Sequence, residues 1–279
     1  MSGILYLVAS PIGNLEDITF RAVRVLKECD LIACEDTRHT RKLLDHYGID
    51  KPLVSYHDHN EGTRSVELIA KLKDGLSIAL VSDAGMPLVA DPGYRLVTAA
   101  VAEGISVQPI PGASALITAL AASGLPTDAF RFEGFLPARS GQRATALESL
   151  KGDTATLIFF EAPHRILETL ADIERVMGAR PVVVGRELTK THEEFLRGTA
   201  GQVLEILKSR PSVKGEITLL IGKAAKNGNA AADPVSIAEA VESGERDGLS
   251  RMDAIKAVAR QRGLSKREVY AQVNLPPKR

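Results

Sequence analysis

Apolar residues in the first 125 positions fall into short, nearly continuous runs, separated by longer stretches in which they recur every three or four residues. The runs Leu5 to Ala9, Leu31 to Cys34, Leu53 to Tyr56, Ile78 to Val81 and Val107 to Ile110 read as strands. Their lack of strict alternation indicates cover on both faces, as parallel sheets require. Between them, Phe20 to Cys29, Thr40 to Tyr47, Glu61 to Leu72 and Tyr94 to Glu103 carry a helical period. Gly48, Gly75 and Gly104 follow three of these helices, where a left-handed cap is expected. Strand and helix alternate, so an α/β fold with an open, mostly parallel sheet is predicted.

A second pattern runs from about Thr127 to Lys223. Its clearer strands are TLIFFEA (156–162), PVVVGRE (181–187), THEEFLRG (191–198) and GEITLLIG (215–222). The third follows the second after a short turn, which predicts antiparallel pairing in this half. AAKNGNAAADP (224–234) is small, polar and ends in Pro, the composition of a linker. Beyond it the chain is helical. Ser236 precedes Glu239, Ser250 precedes Asp253 and Ser265 precedes Glu268, three capping-box spacings in succession. Met252, Ile255, Val258 and Ala259 predict one apolar face, and Val269, Tyr270 and Val273 another. Gly263 ends the middle helix just before Leu264-Ser265, giving a helix-turn-helix-like pattern with Lys266 and Arg267 opening the last helix. The predicted organisation is therefore 1–125, an N-terminal α/β domain; 126–224, a C-terminal α/β domain; 225–234, a linker; and 235–279, a helical module.

Charge changes this picture. The 279 residues carry 35 Lys and Arg against 35 Asp and Glu, which argues against non-specific coating of nucleic acid. From Arg246 onward, however, nine basic residues face three acidic ones, while the preceding 245 residues hold 26 basic and 32 acidic. The tail is a basic appendage on a mildly acidic body. It reads either as a nucleic-acid contact or as a dimerisation module. Cys29 and Cys34 form no disulfide framework and fit a reducing compartment. No signal peptide and no membrane-length apolar run is evident, so a cytoplasmic protein without a membrane partner is expected.

Walker, G-x-S-x-G and G-x-G-x-x-G signatures are missing, which removes the best support for ATP hydrolysis, serine hydrolase chemistry and dinucleotide binding. His57-Asp58-His59 lacks a nearby third ligand, so no metal is expected there. The most informative segment is VSDAGMPLVADPG (81–93), longer and stiffer than an ordinary βα turn. Ligands of open α/β sheets bind beyond the carboxyl ends of the strands. SPIGNLEDI (10–18), EDTRHTRKLL (35–44) and PIPGASAL (109–116) end other strands, so Pro11, Glu35, Asp36, Arg38, Asp83 and Ser114 are expected along one sheet edge. In the second half, FFEAPHR (159–165), GRELTK (185–190) and KGEIT (214–218) offer Arg165, Arg186 and Lys190 as phosphate partners.

Taken in order, LYLVASPIGNLEDIT, EDTRHTRKLL, VSDAGMPLVADPG, PIPGASA, FFEAPHR, RELTK and KGEIT resemble the ribosomal RNA small subunit methyltransferase I family of the tetrapyrrole-methylase superfamily. The resemblance covers residues 4–223, and the helical tail fits it. It implies two α/β domains with the cofactor in the cleft between them, and a homodimer. It implies methyl transfer from S-adenosylmethionine to the ribose 2′-hydroxyl of a cytidine in the decoding region of 16S ribosomal RNA. Carried over by position, the cofactor should touch Pro11, Asp83, Ala84, Gly85, Met86, Val89, Gly112, Ala113, Ser114 and Ala115. Across the cleft it should touch Phe160, Glu161, Ile217 and Thr218.

A ribose hydroxyl is a poor nucleophile, so a nearby base would help during transfer. Glu35 and Asp36 point to opposite sides if strand geometry persists, and Glu35 is the candidate. Arg38, Arg165, Arg186, Lys190, Lys266 and Arg267 are the candidate RNA contacts. Two other readings stay open: a tetrapyrrole or protein side chain as methyl acceptor, and a non-enzymatic nucleic-acid-binding regulator. The basic tail argues against the first and the stiff loop at 81–93 against the second.

Overall fold

The first sheet holds β1 (Ile4–Val8), β2 (Leu31–Cys34), β3 (Leu53–Ser55), β4 (Ile78–Val81) and β5 (Ser106–Ile110). Their spatial order is β3-β2-β4-β1-β5, and every pair is parallel. The structure is a computed structural model and describes residues 2–224, 236–262 and 266–273. Helices α1 (Phe20–Glu28), α2 (Thr37–His46), α3 (Glu61–Lys73) and α4 (Tyr94–Ala102) connect the strands. Gly48, Gly75 and Gly104 adopt the positive φ expected of them. Helix α2 starts earlier than its apolar period indicates. The Asp36 carboxylate accepts from Arg38 N at 2.8 Å and caps a new first turn.

Both faces of this sheet are covered, which is why its strands read as continuous apolar runs. Ala22, Val25 and Leu26 of α1 pack with Val8, Ile32, Ala79 and Val81. Leu68 and Leu72 of α3 and Leu96 and Ala100 of α4 pack with Leu5, Ala33, Ile78 and Leu80 on the other face. Burying each such leucine or isoleucine contributes ~1.5–3 kcal/mol. Cys29 and Cys34 are free, buried in this core, and burial pushes both thiols up. From β1 the chain crosses over β4 to β2, and from β4 it crosses over β1 to β5. The two connections leave in opposite directions, so a crevice opens above the carboxyl ends of β1 and β4.

The second sheet begins after α5 (Ala115–Ser123) and comprises β6 (Phe130–Phe135), β7 (Thr156–Glu161), β8 (Pro181–Arg186), β9 (Glu194–Thr199) and β10 (Ile217–Ile221), with α6 (Ser140–Leu150), α7 (Ile166–Met177) and α8 (Ala200–Lys208) between them. Its order is β6-β7-β10-β8-β9. Only β6 and β7 are parallel; β7–β10, β10–β8 and β8–β9 are antiparallel. Leu116, Ala119 and Leu120 of α5 join Ile158, Val183 and Leu220 in one apolar cluster, so the helix that ends the first half closes a face of the second sheet. Residues 1–149 and 155–222 accordingly form a single compact unit containing both sheets. An α/β fold with two sheets and a helical tail matches the expected class.

Residues 150–154 and 223–279 form the other unit. It contains α9 (Ile237–Arg246), α10 (Arg251–Arg262) and α11 (Lys266–Val273). Ser236 and Glu239 make a reciprocal capping box, and Ser250 accepts from Asp253 N at 3.2 Å while donating to its carboxylate at 2.7 Å. Val241, Ala254, Ile255, Val258, Ala259 and Val269 form its core. Met252 and Tyr270, expected on apolar faces, are about half exposed; the buried stripe runs through 254, 255, 258 and 259 and leaves position 252 at its edge. The expected linker 225–234, the turn at 263–265 and the Ser265–Glu268 cap lie outside the described residues. Among the described residues no helix is long and apolar enough to cross a membrane, and no cluster of three or more His, Cys, Asp or Glu could hold a metal ion.

Candidate active site

Three loops at the carboxyl ends of the first sheet are bound into one surface. After β1 and β4, Ser10 N donates to Gly85 O at 2.9 Å and Gly85 N donates back to Ser10 O at 3.1 Å. Ser10 Oγ adds a bond to Ser82 O. Gly85 has φ +83°, and a Cβ there would lie 3.4 Å from Ile12 and 3.6 Å from Ala113 O. Farther along the same loop, Leu88 and Ala90 hold φ of 73° and 64°. Left-handed backbone at a non-glycine residue costs about 1–2 kcal/mol, and such strain gathers where a loop must aim particular side chains. Here the strained residues bracket Val89 and precede Asp91. The third loop runs from β5 into α5, whose N-cap Ser114 makes no side-chain capping bond.

The second half supplies the opposite wall. Phe160 and Glu161 end β7 and lie beside Thr218 and Ile217 of β10. Leu188 sits between Glu187 and Thr189, which also hold positive φ, 53° and 64°. The Thr189 hydroxyl accepts from Asn14 N at 3.0 Å. A Cβ on Gly13 would come within 2.9 Å of Leu188 O, so the first loop can approach this wall only because position 13 is glycine.

Together these segments enclose a cavity of about 360 Å³. Its walls are mostly apolar: Ile12, Ala84, Gly85, Met86, Val89, Ala90, Ala115, Leu116, Phe135, Phe160, Ala162, Pro163, Leu188, Gly215 and Ile217. The polar lining is Asp83, Asp91, Ser114, Glu161, Glu216 and Thr218. Four acidic residues therefore border it, with no Lys, Arg or His among the described lining residues; the Glu161 carboxylate is turned onto Thr169 and Arg165, and that of Glu216 is paired with Lys190. Burial pushes the Asp91 carboxyl up to about 6; Glu35, Asp83 and Asp58 add like charge, and a Ser82 hydrogen bond opposes them. Burial likewise raises Glu35, with Asp83 and Asp58 reinforcing it. Glu161 is buried and satisfied: it accepts from Ala162 N and from Thr169 Oγ1, at 2.8 and 2.7 Å, and Arg165 Nε lies 3.4 Å away.

Of the expected cofactor residues, Asp83, Ala84, Gly85, Met86, Val89, Ser114, Ala115, Phe160, Glu161, Ile217 and Thr218 line this cavity. Pro11, Gly112 and Ala113 do not. Gly112 backs against Ala9, 2.9 Å from where its Cβ would stand, and Ala113 packs in the shared apolar cluster. Glu35 lies outside the lining, close enough to Asp83 and Asp91 to raise the proton affinity of Asp91. The candidate cations also lie outside it. Arg38 is exposed and pairs with the capping Asp36 at 2.9 Å. Arg165 is held by Glu161 and donates to Leu136 O. Arg186 and Arg210 share Glu194, whose carboxyl they hold down at about 2. Lys190 bridges Glu187 and Glu216, at 3.0 and 3.2 Å. Lys266 and Arg267 open α11 in the other unit and are exposed.

Asp91 and Glu216 stand inside segments the sequence marks, VSDAGMPLVADPG and KGEIT, but nothing in their spacing says that they border a cavity. Phe135 had no signal, because β6 ends in an irregularity that breaks its pattern.

A family model described as Tetrapyrrole (Corrin/Porphyrin) Methylases matches residues 4–204. The ribosomal RNA small subunit methyltransferase I of Halalkalibacterium halodurans is 52% identical over 271 residues, covering 96% of this chain and 93% of that protein. The chain belongs to the ribosomal RNA small subunit methyltransferase I family. Further proteins of that name, from Micromonospora olivasterospora and Haemophilus influenzae, are each 47% identical and cover 100% and 97% of this chain, and 88% and 96% of their own length. Among solved structures, a diphthine synthase shares the fold at TM-score 0.63 and 17% identity, over 79% of this chain and 90% of its own. A uroporphyrin-III C-methyltransferase from Thermus thermophilus, complexed with S-adenosylhomocysteine, does so at TM-score 0.54 and 19% identity, over 80% and 98%. The small subunit methyltransferase I family thus carries the tetrapyrrole-methylase fold, as the ordered motifs imply.

Proposed function

We propose that the chain transfers a methyl group from S-adenosylmethionine to the ribose 2′-hydroxyl of a cytidine in the decoding region of 16S ribosomal RNA. Its family supports the RNA acceptor. The observation that supports the donor is the cavity lining, which combines apolar walls with acidic residues, Asp83 and Asp91 among them, and no Lys, Arg or His among the described lining residues. Such a lining suits a cationic sulfonium and disfavours phosphate, so the RNA backbone stays outside while a sugar edge can enter. The residues fit the group. Gly85 lets backbone come close, and the N-terminus of α5 at Ser114-Ala115 can meet a carboxylate. Asp83, Ala84, Met86 and Val89 would hold one side, and Phe160, Glu161, Ile217 and Thr218 the other. When bound, S-adenosylmethionine supplies a methyl carbon already activated toward an oxygen nucleophile.

The chain's own task is placement and proton transfer. Closely packed walls would hold the acceptor hydroxyl against a bound donor, and such placement converts binding into rate. Asp91, a cavity carboxylate whose affinity for a proton lies near neutrality, takes the hydroxyl proton. Glu35 acts on it through charge. Arg38, with 89% of its side chain exposed, is free to exchange Asp36 for a phosphate. Arg165, Arg186 and Lys190 set the positions of the carboxylates they hold and border the RNA path. Lys266 and Arg267, exposed on the basic tail, contact RNA separately. The working species is a homodimer in the cytoplasm, where small subunits are assembled.

Incubating the protein with labelled S-adenosylmethionine and undermethylated small subunits, with free porphyrin as control, tests the reading. Digestion to nucleosides should yield labelled 2′-O-methylcytidine. Label on a base, on ribosomal protein or on porphyrin would overturn it.

A further inference from the structure

One large apolar side chain of the lining is out of keeping with the other large apolar ones. Phe135 is 56% exposed, although it borders the cavity. Its position is built rather than accidental. The β6–β7 register shifts between Phe132 and Phe135, and Gly134 takes φ +67° with open space around its missing Cβ. A bulge of this kind re-aims the side chain that follows it. The next residue, Leu136, is buried, and its carbonyl oxygen accepts from Arg165 Nη2. Arg165 is itself held by Glu161 of the cavity wall. The backbone is thus turned before the ring and anchored after it. Phe160 meets Phe135 at 5.8 Å with an interplanar angle of 62°, and Phe132 meets Phe160 at 4.9 Å. The edge-to-face ladder steadies the ring while most of its surface remains open.

We propose that Phe135 is the stacking platform for the base of the nucleotide whose ribose enters the cavity. The inference rests on the reading of a ribose acceptor and deepens it. The base is joined to the sugar carbon next to the one bearing the 2′-hydroxyl, so a ribose presented to the interior carries its base to the rim. Enzymes that modify a nucleotide take it out of its helical stack, and an aromatic face replaces the stacking it loses. The nearby cations, Arg165 and Lys190, are held by Glu161 and by Glu187 and Glu216, so stacking is the attraction that this part of the rim offers a base. Phe160 is the less exposed ring, packed edge-to-face with both Phe132 and Phe135 and facing the cofactor's side of the cavity.

Phe135→Leu keeps apolar bulk without the π face, and Phe135→Tyr keeps the face. Three readouts separate the roles: calorimetric affinity for S-adenosylhomocysteine, kcat/KM for undermethylated subunits, and quenching of a fluorescent cytidine analogue at the target position of a decoding-region RNA. Stacking on an aromatic is worth ~1–3 kcal/mol per base, so Phe135→Leu should lower kcat/KM roughly 5- to 150-fold and abolish quenching. Phe135→Tyr should restore both, and cofactor affinity should stay within about twofold in either variant. Full quenching and full kcat/KM in Phe135→Leu overturn the inference. So does a matching fall in cofactor affinity, which would put the ring against the donor instead. Absence of methyl transfer by the unmodified protein defeats the acceptor reading itself, a result distinct from either.

Discussion

Replacing Asp91 by Asn should stabilise the protein and disable it, and the size of the first effect depends on pH. The carboxyl is lifted from its ordinary 3.8 to about 6, so the folded chain holds this proton more tightly than the unfolded chain does. Stability therefore falls as pH rises from about 4 to about 6 and stays reduced above that window. At ~1.36 kcal/mol for each tenfold change in proton affinity, the full displacement is about 3 kcal/mol. Water reaching the cavity screens it, and ~1–2 kcal/mol is the expected net effect. Asparagine cannot ionise. Asp91→Asn should gain that amount at pH 8 and almost nothing at pH 4. A protein of this size shifts its Tm by about 2–4 °C per kcal/mol, well within reach of calorimetry at pH 4, 6 and 8. Methyl transfer at pH 8 should meanwhile drop by about 10²-fold or more, the usual contribution of a positioned base. A Tm difference that ignores pH, or a variant less stable than the parent at pH 8, would refute the burial argument. Unchanged transfer would remove Asp91 from proton transfer and return the question to Glu35.

Other perturbations test other parts of the molecule. Gly85→Val forces a β-branched residue into φ +83° beside Ile12; it should weaken cofactor binding at least ~10-fold in calorimetry while the circular dichroism of the chain persists. Arg143 is 1% exposed and donates to Asp172 at 2.7 Å and to Ala138 O at 3.1 Å, so Arg143→Ala should cost ~3–5 kcal/mol in urea unfolding; a loss under ~1 kcal/mol would mean that Arg175, the other partner of Asp172, suffices. Truncation at Asp233 removes a unit with its own apolar core and should leave cofactor affinity intact. Subunit binding should fall by ~10-fold or more at low salt, with the gap closing as salt rises, whereas aggregation of the truncated chain would indicate a structural or dimerisation role instead.

The first half was legible because its physics is local. Strands buried on both faces leave continuous apolar runs, and β2 and β4 begin and end where those runs do. Residue-specific backbone needs were readable too, as at Gly48 and Gly75. What the sequence hid depends on pairing. Helix α5 is not announced by a helical period, because ALITALAAS is apolar nearly throughout, and it closes the second sheet rather than the first. Strand β6 is interrupted by its bulge, which removed Phe135 from view. Arg165 and Arg186 look like free cations in a string of letters; only the fold reveals Glu161 and Glu194 facing them. Ordered motifs pointed to the loops around the cavity, but which carboxylate of VSDAGMPLVADPG turns inward is decided by Leu88 and Ala90, whose left-handed backbone no residue type announces.

The acidic lining of the cavity also ranks its occupants after the reaction. The methyl donor and the spent molecule it becomes differ, besides the methyl group, by one positive charge on sulfur. Asp83 and Asp91 on its wall prefer the charged form, so a fresh donor competes well against retained product. Ionisation of Asp91 strengthens that preference. Product inhibition should consequently ease as the medium becomes more alkaline and deepen toward pH 5, coupling the rate of turnover to acidity through release as well as through the chemical step.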